Sequence, residues 1–324
     1  MKTLVNVGGV SRSGSTLVHL MLGNAPDAFA CGEAMNHFRT FMKDQTRPSC
    51  VCGQVPCPVW CRLDNLTEDR FYATAFDRLD VNYIIDSSWA PSWLLDARRW
   101  ARQDEITVYN LFAWKNPLNL AYSFWKRGHG PMYWRRLFVK YYSRIFSAGL
   151  PLLTVNCGEL VQDAPTKLRQ ICDAIGMPYF EGKENFWELQ HHLMYCNTGV
   201  RKQLMAGDSS VQAHDSFPPE FQQHVDLVLG KVAKDTKVRY LIEQLQQADV
   251  SRVQQPVPVV QHFVTSRRRP AWYYAQMLRQ FLRGRLTGEL VNSDPENVAT
   301  NPSFRGPHVT AGTSPMPVQQ PRLR

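Results

Sequence analysis

The fold of this chain is decided by the stretch Val5-Asn6-Val7-Gly8-Gly9-Val10-Ser11-Arg12-Ser13-Gly14-Ser15-Thr16-Leu17. An apolar, β-branched run ends at Gly8, and from Thr16 onward apolar residues recur at helical spacing. The stretch therefore predicts a strand, a glycine-rich loop and a helix. Free backbone N–H groups and the helix dipole make such a loop an anion-binding site.

The spacing of the glycines in the loop indicates which kind of anion it binds. Gly9 and Gly14 stand five residues apart and are followed by Ser15 and Thr16, which matches the phosphate-loop pattern G-x-x-x-x-G-K-[ST] except that Ser15 replaces the lysine. In an NTPase that lysine reaches the β- and γ-phosphates, so its absence argues against ATP or GTP hydrolysis. Arg12 supplies a cation inside the loop instead. An ordinary glycine and serine turn is the structural alternative.

Composition sets the broad class of protein. The chain has 324 residues, of which 44% are hydrophobic, and this suits one large α/β domain with elaborations or a tail. Its net charge of +9 favours anionic ligands or surfaces, and we expect no nucleic-acid partner. No apolar run is long enough to cross a membrane, and the predicted first strand leaves no room for a signal peptide. We therefore expect a cytoplasmic protein.

Strand and helix patterns alternate along the chain. Further strands are predicted at 28–31, 81–85, 105–114 and 152–155, and helices at 66–79, 91–102, 118–127, 133–146 and 164–175. This alternation predicts an α/β three-layer sandwich, with a central parallel sheet of about five strands and helices on both faces. Ligands bind such sheets at the carboxyl ends of the strands. We expect Arg12, Glu33, Asp86 and Lys115 to cluster there.

A second phosphate motif follows the fourth predicted strand. Lys115-Asn116-Pro117 places a cation at the strand end and a proline at the start of a helix, and Ser123 comes eight residues after Lys115. Together these residues predict a second phosphate site at a distance from the first. A surface lysine and an ordinary helix serine are the structural alternative.

With both motifs, the chain resembles the sulfotransferases that use 3'-phosphoadenosine-5'-phosphosulfate (PAPS), in the branch with an R-S-G-S-T loop. The resemblance implies that the loop cradles the 5'-phosphosulfate through Ser11, Arg12, Ser13, Gly14, Ser15 and Thr16. It implies that Lys115 and Ser123 bind the 3'-phosphate. Lys115 replaces the arginine of the family and keeps the charge without the two-pronged hydrogen bonding.

The resemblance extends over about residues 1–205. Cys31-Gly32-Glu33 resembles the glycine–glutamate pair that ends the second strand, and Asp86-Ser87-Ser88 resembles a D-S-S-K motif with Trp89 at the lysine position. The segment 192–197, followed by Arg201, resembles a late H-x3-G-N-x2-R segment near the nucleotide, with the arginine one residue further on.

The chemistry implied is sulfuryl transfer to a hydroxyl. Such a transfer resembles phosphoryl transfer, in which positioning and cations do most of the catalysis. Arg12 would neutralise charge on the leaving phosphate, and Glu33 is the first candidate for the general base, with His37 in reserve. A salt bridge or helix cap is the alternative for Glu33, and a surface position for His37. No metal is required, since no diphosphate needs bridging.

Four of the eight cysteines form an insertion at 47–62. Cys50, Cys52, Cys57 and Cys61 have the spacing C-x-C-x4-C-x3-C, which is not a standard zinc spacing and contains no histidine. Structural zinc, a disulfide and free thiols remain open as alternatives.

The remainder of the chain is predicted to form a helical extension and a disordered tail. After the core at 1–205, we predict a helical extension at 206–292, including a helical pair at 218–247, and a proline-rich disordered tail at 293–324. Residues 267–286 form a basic amphipathic pattern, which favours either peripheral membrane contact or packing on the domain.

The sequence thus predicts a PAPS-dependent sulfotransferase acting on a hydroxyl, with a carbohydrate or glycolipid as the expected acceptor. A P-loop kinase or NTPase and a catalytically inactive nucleotide-binding protein are the alternatives.

Overall fold

The computed structural model describes residues 1–39, 49–206 and 216–253, together with Ala271 and Ala275. Its centre is a sheet of the strands β1 Thr3–Gly8, β2 Ala28–Gly32, β3 Tyr83–Asp86, β4 Thr107–Trp114 and β5 Leu153–Asn156. The strands lie in the order β2-β3-β1-β4-β5, and every neighbouring pair is parallel. The prediction of an α/β fold with a central parallel sheet is confirmed.

Helices follow the strands closely. The α-helices up to residue 206 are α1 Ser15–Gly23, α2 Ala34–Phe38, α3 Phe71–Leu79, α4 Pro91–Gln103, α5 Pro117–Trp125, α6 Tyr133–Ser147, α7 Cys157–Gln162, α8 Ala164–Ile175 and α9 Thr198–Ala206. Helix α3 begins later than the predicted residue 66, because the Arg70 N–H closes a turn onto the Thr67 carbonyl at 3.2 Å.

Alternating residues of the strands supply cores on both faces of the sheet. Val5 and Val7 of β1 pack with α1 and α8 on one face, whereas Leu4 packs with α3 and α4 on the other. Phe112 and Trp114, at the end of β4, join a third apolar cluster with α5 and α6. These layers explain why the chain buries both sheet faces, as parallel sheets require.

Three further helices cover the third cluster. They are α10 Pro219–Gln222, α11 Val225–Lys234 and α12 Thr236–Gln247, so the segment 218–247 is helical as expected, but the short α10 precedes the expected pair. Phe221, Val228 and Leu241 are buried with residues of α5 and α6. The domain boundary at 205–206 stays a prediction.

Two predicted segments lie outside the described residues: the tail at 293–324 and, apart from the helical Ala271 and Ala275, the basic segment at 267–286. Within the described ranges, no helix has both the length and the apolar character needed to cross a membrane.

Candidate active site

The glycine-rich loop turns sharply between β1 and α1. Arg12 has a φ of 71° and Gly14 a φ of 98°, and the Ser13 N–H donates to the Val10 carbonyl at 2.9 Å. Gly14 is the N-cap of α1 and makes no side-chain cap hydrogen bond. The N–H groups of the first turn of α1 therefore have no side-chain cap at this position, as an anion-binding loop requires.

Neighbouring elements hold this loop in place. The Gly9 N–H donates to the Tyr141 hydroxyl of α6 at 3.0 Å. A Cβ added at Gly9 would lie 2.6 Å from the Ala113 carbonyl oxygen of β4, and one added at Gly14 would lie 2.1 Å from Cys157 Sγ of α7. Both loop glycines are thus required by close approach of the backbone to its surroundings.

The loop side chains differ in exposure. Ser11 is exposed, and Arg12, Ser15 and Thr16 are half-buried, so these four border solvent. Ser13 is fully buried, and its Oγ has no hydrogen-bond partner within the part of the chain that the structure describes. A Cβ added at Gly9 would lie 2.1 Å from that Oγ, so Ser13 packs beneath the loop.

The four residues expected at one sheet edge all lie there. The loop with Arg12 follows β1, Glu33 follows β2, Asp86 ends β3 and Lys115 follows β4. The chain leaves β1 towards β2 and leaves β4 towards β5, so the strand order reverses between the adjacent strands β1 and β4. Ligands of open α/β sheets bind at such a switch point.

Cations converge on this switch point. The pKa of Lys126, just beyond α5, is lowered first by partial desolvation and then by the charges of Lys115, Arg12 and Arg127. The Lys126 ammonium also lies 4.7 Å from the centre of the Tyr122 ring. Burial raises the pKa of Cys157, and the charge of Lys115 opposes that shift, which places Lys115 near the side chain that packs on Gly14. Positive charges grouped in this way favour anionic ligands.

The second phosphate motif starts a helix as its sequence predicts. Asn116 Oδ1 accepts a hydrogen bond from the Asn119 N–H at 2.9 Å, and Pro117 is the first residue of α5. The half-buried Ser123 hydroxyl donates to the Asn119 carbonyl at 2.8 Å. A phosphate at Ser123 therefore competes with that bond for the single hydroxyl proton.

The two candidate bases lie near the edge strand β2. The Glu33 N–H donates to the Tyr195 carbonyl at 2.9 Å, and Glu33 Oε2 accepts from Asn36 Nδ2 at 2.6 Å. Strand β3 separates β2 from β1, which puts Glu33 roughly 10 Å from the glycine-rich loop at backbone level. The His37 ring stacks on Trp60 with centroids 4.9 Å apart. The roles of Glu33 and His37 stay predictions.

Asp86 organises the loops beside Glu33. Its carboxylate is fully buried and accepts hydrogen bonds from the Ser88 N–H at 2.7 Å, Trp93 Nε1 at 2.8 Å, the Tyr72 hydroxyl at 2.5 Å and the Ala34 N–H at 3.3 Å. Burial raises its pKa, although the hydrogen bonds from Ser88, Tyr72 and Trp93 oppose the shift. The bond to Ala34 fixes the start of α2, directly after Glu33.

Arg201 and His192 contact the cysteine insertion. Arg201 donates to the Met194 carbonyl at 3.0 Å and to both the carbonyl and the hydroxyl of Ser49. His192 Nδ1 lies 3.4 Å from Cys57 Sγ. The nucleotide contact expected of Arg201 stays a prediction.

Several residues of the site were not identified from the sequence. Lys126 and Arg127 directly follow α5, and their only signal in the sequence is a pair of cations before Gly128. Tyr141 and Cys157 touch the loop from more than 100 residues away along the chain, and no local pattern marks them.

Comparison with known proteins gives structural matches alone. No protein-family model matches the chain, and no curated protein matches it. The sulfotransferase domain from the curacin biosynthetic pathway matches with a TM-score of 0.48 and 16% identity, over 76% of this chain and 98% of that domain. The sulfotransferase domain from the Synechococcus PCC 7002 olefin synthase matches with a TM-score of 0.43 and 19% identity, over 76% and 94%. At these scores the two matches assign no activity to this chain.

Proposed function

We propose that this chain is a PAPS-dependent sulfotransferase that moves a sulfuryl group to an acceptor hydroxyl. The observation that carries the proposal is the placement of two cationic motifs at the β1–β4 switch point: the glycine-rich loop with Arg12 follows β1, and Lys115 follows the adjacent strand β4. The loop at this point has Ser15 where an NTPase has its phosphate-binding lysine. A donor with separate 5'- and 3'-phosphates suits this distribution of charge better than a linear triphosphate does.

Each group at the switch point has a role in holding the donor. The first turn of α1, with the hydroxyls of Ser15 and Thr16, binds the 5'-phosphate, and Arg12 stabilises charge on the oxygen that bridges phosphorus and sulfur. Lys115, which follows β4, and Ser123 of α5 bind the 3'-phosphate. This assignment of residues to the two phosphates rests on the two sequence motifs and on the family resemblance.

The transfer itself is an in-line displacement. The acceptor oxygen forms a bond to sulfur while the bond from sulfur to the bridging oxygen breaks, and that oxygen leaves with 3'-phosphoadenosine-5'-phosphate (PAP). The proton of the acceptor hydroxyl passes to Glu33, with His37 as the alternative base. A carbohydrate or glycolipid hydroxyl is the acceptor that the resemblance implies.

Thermal unfolding with PAP, PAPS and magnesium-ATP in parallel tests donor binding. A ligand present at 100 times its dissociation constant adds about 2.7 kcal/mol to the free energy of unfolding, and the midpoint then rises by several degrees. We expect this rise with PAP and PAPS, and we expect Arg12→Ala or Ser123→Ala to reduce it. Arg102→Ala is the matched control, because Arg102 is an exposed arginine on α4.

The alternatives predict different outcomes. A rise with magnesium-ATP alone would contradict the proposal and indicate a kinase or NTPase. A rise with PAP and PAPS, without PAP release from PAPS across a panel of sugar acceptors, would indicate an inactive nucleotide-binding protein.

Glu33→Gln separates binding from chemistry. A positioned general base contributes typically 10²- to 10⁴-fold, so we expect this variant to lose that factor in PAP release while it keeps the PAP-dependent rise in midpoint. If Glu33→Gln kept full turnover and His37→Gln lost it, the general base would be His37 and not Glu33.

A further inference from the structure

Three cysteines and a histidine meet at a place that the sequence does not reveal. Cys50, Cys52 and Cys57 come from the insertion, and His192 comes from the segment between α8 and α9. One ligand atom of each residue lies within 4.8 Å of all the others. Cys50 and Cys57 are buried, and Cys52 and His192 are half-buried.

The separations suit one tetrahedral ion. With Zn–S bonds of about 2.3 Å and a Zn–N bond of about 2.05 Å, tetrahedral geometry puts two sulfurs roughly 3.8 Å apart and a sulfur and a nitrogen roughly 3.6 Å apart. The distance from Cys57 Sγ to His192 Nδ1 is 3.4 Å. Small movements of the remaining sulfurs complete the tetrahedron, because all four ligand atoms already lie within 4.8 Å of one another.

We propose that Cys50, Cys52, Cys57 and His192 bind a structural zinc ion. Three thiolates and one imidazole are a known structural ligand set, and four protein ligands leave no open position for substrate or water. A cavity of about 210 Å³, lined in part by Cys50, Cys57 and Trp60, opens beside the cluster and gives the ion a path of entry.

Contacts that do not need the metal already bring the ligands together. The Val51 N–H donates to the Leu193 carbonyl at 2.9 Å, and Trp60 Nε1 donates to the His192 carbonyl at 2.8 Å. These bonds join segments that lie more than 130 residues apart along the chain. The ion therefore binds a partly preformed site and fixes the insertion to the segment at 192–195.

The position of this segment gives the ion an effect on the candidate active site. The Tyr195 carbonyl accepts the hydrogen bond from the Glu33 N–H, and a Cβ added at Gly32 would lie 2.3 Å from that carbonyl oxygen. The zinc-bound segment thus packs directly on the end of β2. Through it, the ion positions Glu33 without contacting the reacting groups.

Cys61 provides a matched control within the same insertion. It is exposed, lies outside the cluster, and donates its thiol hydrogen to the Pro58 carbonyl at 3.5 Å. Cys61→Ser changes the same chemical group as Cys57→Ser, in the same loop, without removing a proposed ligand.

The experiment measures metal in the full chain, purified under reducing conditions without added chelator. Elemental analysis is expected to find one zinc ion per chain in the wild type and in Cys61→Ser, and almost none in Cys57→Ser or His192→Ala. His192→Cys is expected to retain zinc, because a fourth thiolate replaces the imidazole.

Cobalt substitution tests the site without any variant. After chelation of the native metal, titration of the wild type with Co²⁺ is expected to produce the visible spectrum of tetrahedral cobalt with thiolate ligands, saturating at one ion per chain. Failure to bind either Zn²⁺ or Co²⁺ would overturn the proposal. A disulfide between two of the three cysteines in the freshly purified, unreduced chain would also overturn it. Neither result depends on the nucleotide titrations, so this proposal and the proposed function fail separately.

Discussion

Gly14→Ala tests how tightly the glycine-rich loop is held. The residue has a φ of 98°, and a Cβ at this position would lie 2.1 Å from the buried Cys157 Sγ. A left-handed conformation costs a residue with a Cβ about 1–2 kcal/mol, and overpacking a filled interior costs about 1–3 kcal/mol. We therefore expect Gly14→Ala to lower the free energy of unfolding by about 2–5 kcal/mol.

Two further variants separate the two causes. Gly128 has a φ of 81°, and no atom lies within 4 Å of a Cβ added there. Gly128→Ala should therefore cost only the conformational strain, about 1–2 kcal/mol. Cys157→Ala removes the clashing sulfur, so the double variant with Gly14→Ala should be less destabilised than the sum of the single variants by about 1–3 kcal/mol.

Equilibrium unfolding in urea, followed by tryptophan fluorescence, measures all four free energies. The midpoints should change while the slope with denaturant stays constant. Equal costs for Gly14→Ala and Gly128→Ala, together with strict additivity in the double variant, would refute the close contact between the loop and α7.

Three other variants test other parts of the structure. Tyr141→Phe leaves the buried Gly9 N–H without its acceptor, and urea unfolding should show a loss of about 1–3 kcal/mol. Burial, and secondarily the charge of His191, lowers the pKa of His19 to about 3, so the unfolded chain binds a proton at a pH where folded His19 does not. From pH 7 to pH 5 the free energy of unfolding of the wild type should therefore fall by about 2 kcal/mol more than that of His19→Gln. Lys115→Ala should weaken PAP binding about 10- to 150-fold by calorimetry, the loss of a charged hydrogen bond, whereas Lys115→Arg should retain it.

Each of these has its control. Tyr240→Phe alters an exposed tyrosine on α12 and should leave the unfolding free energy unchanged, so an equal loss in both tyrosine variants would contradict the role of Tyr141. For His19, the glutamine oxygen can accept the bond that the Gly32 N–H donates to Nε2, and identical pH profiles for wild type and variant would contradict the lowered pKa. Equal PAP affinity in Lys115→Ala and wild type would show that Lys115 does not contribute to PAP binding.

The phosphate loop and the helix it starts follow from local sequence. The glycine spacing of the loop, the apolar run before the loop and the helical spacing after it all lie in one short, continuous stretch of sequence. The sequence alone therefore predicts the β1–loop–α1 unit. The same is true of α5, where Asn116 caps the helix and Pro117 begins it. Parallel strands then bring Arg12, Glu33, Asp86 and Lys115 to one edge, as expected.

The remaining features depend on tertiary packing. The sequence shows four cysteines without a histidine, but folding brings His192 to Cys57 across 135 residues and leaves Cys61 outside the cluster. Lys126 follows the end of α5, and its electrostatic coupling to Arg12, more than 100 residues earlier, arises only in the folded chain. Long-range placements of this kind have no periodic signal in one sequence.

The most direct measurement is a calorimetric titration of the wild type with PAP and with 5'-AMP, which differ only in the 3'-phosphate. The proposed donor site predicts that PAP binds at least about tenfold more tightly, a difference of about 1.4 kcal/mol, and that Lys115→Ala abolishes the difference. Equal affinities for PAP and 5'-AMP in the wild type would contradict a site built for a 3'-phosphorylated donor.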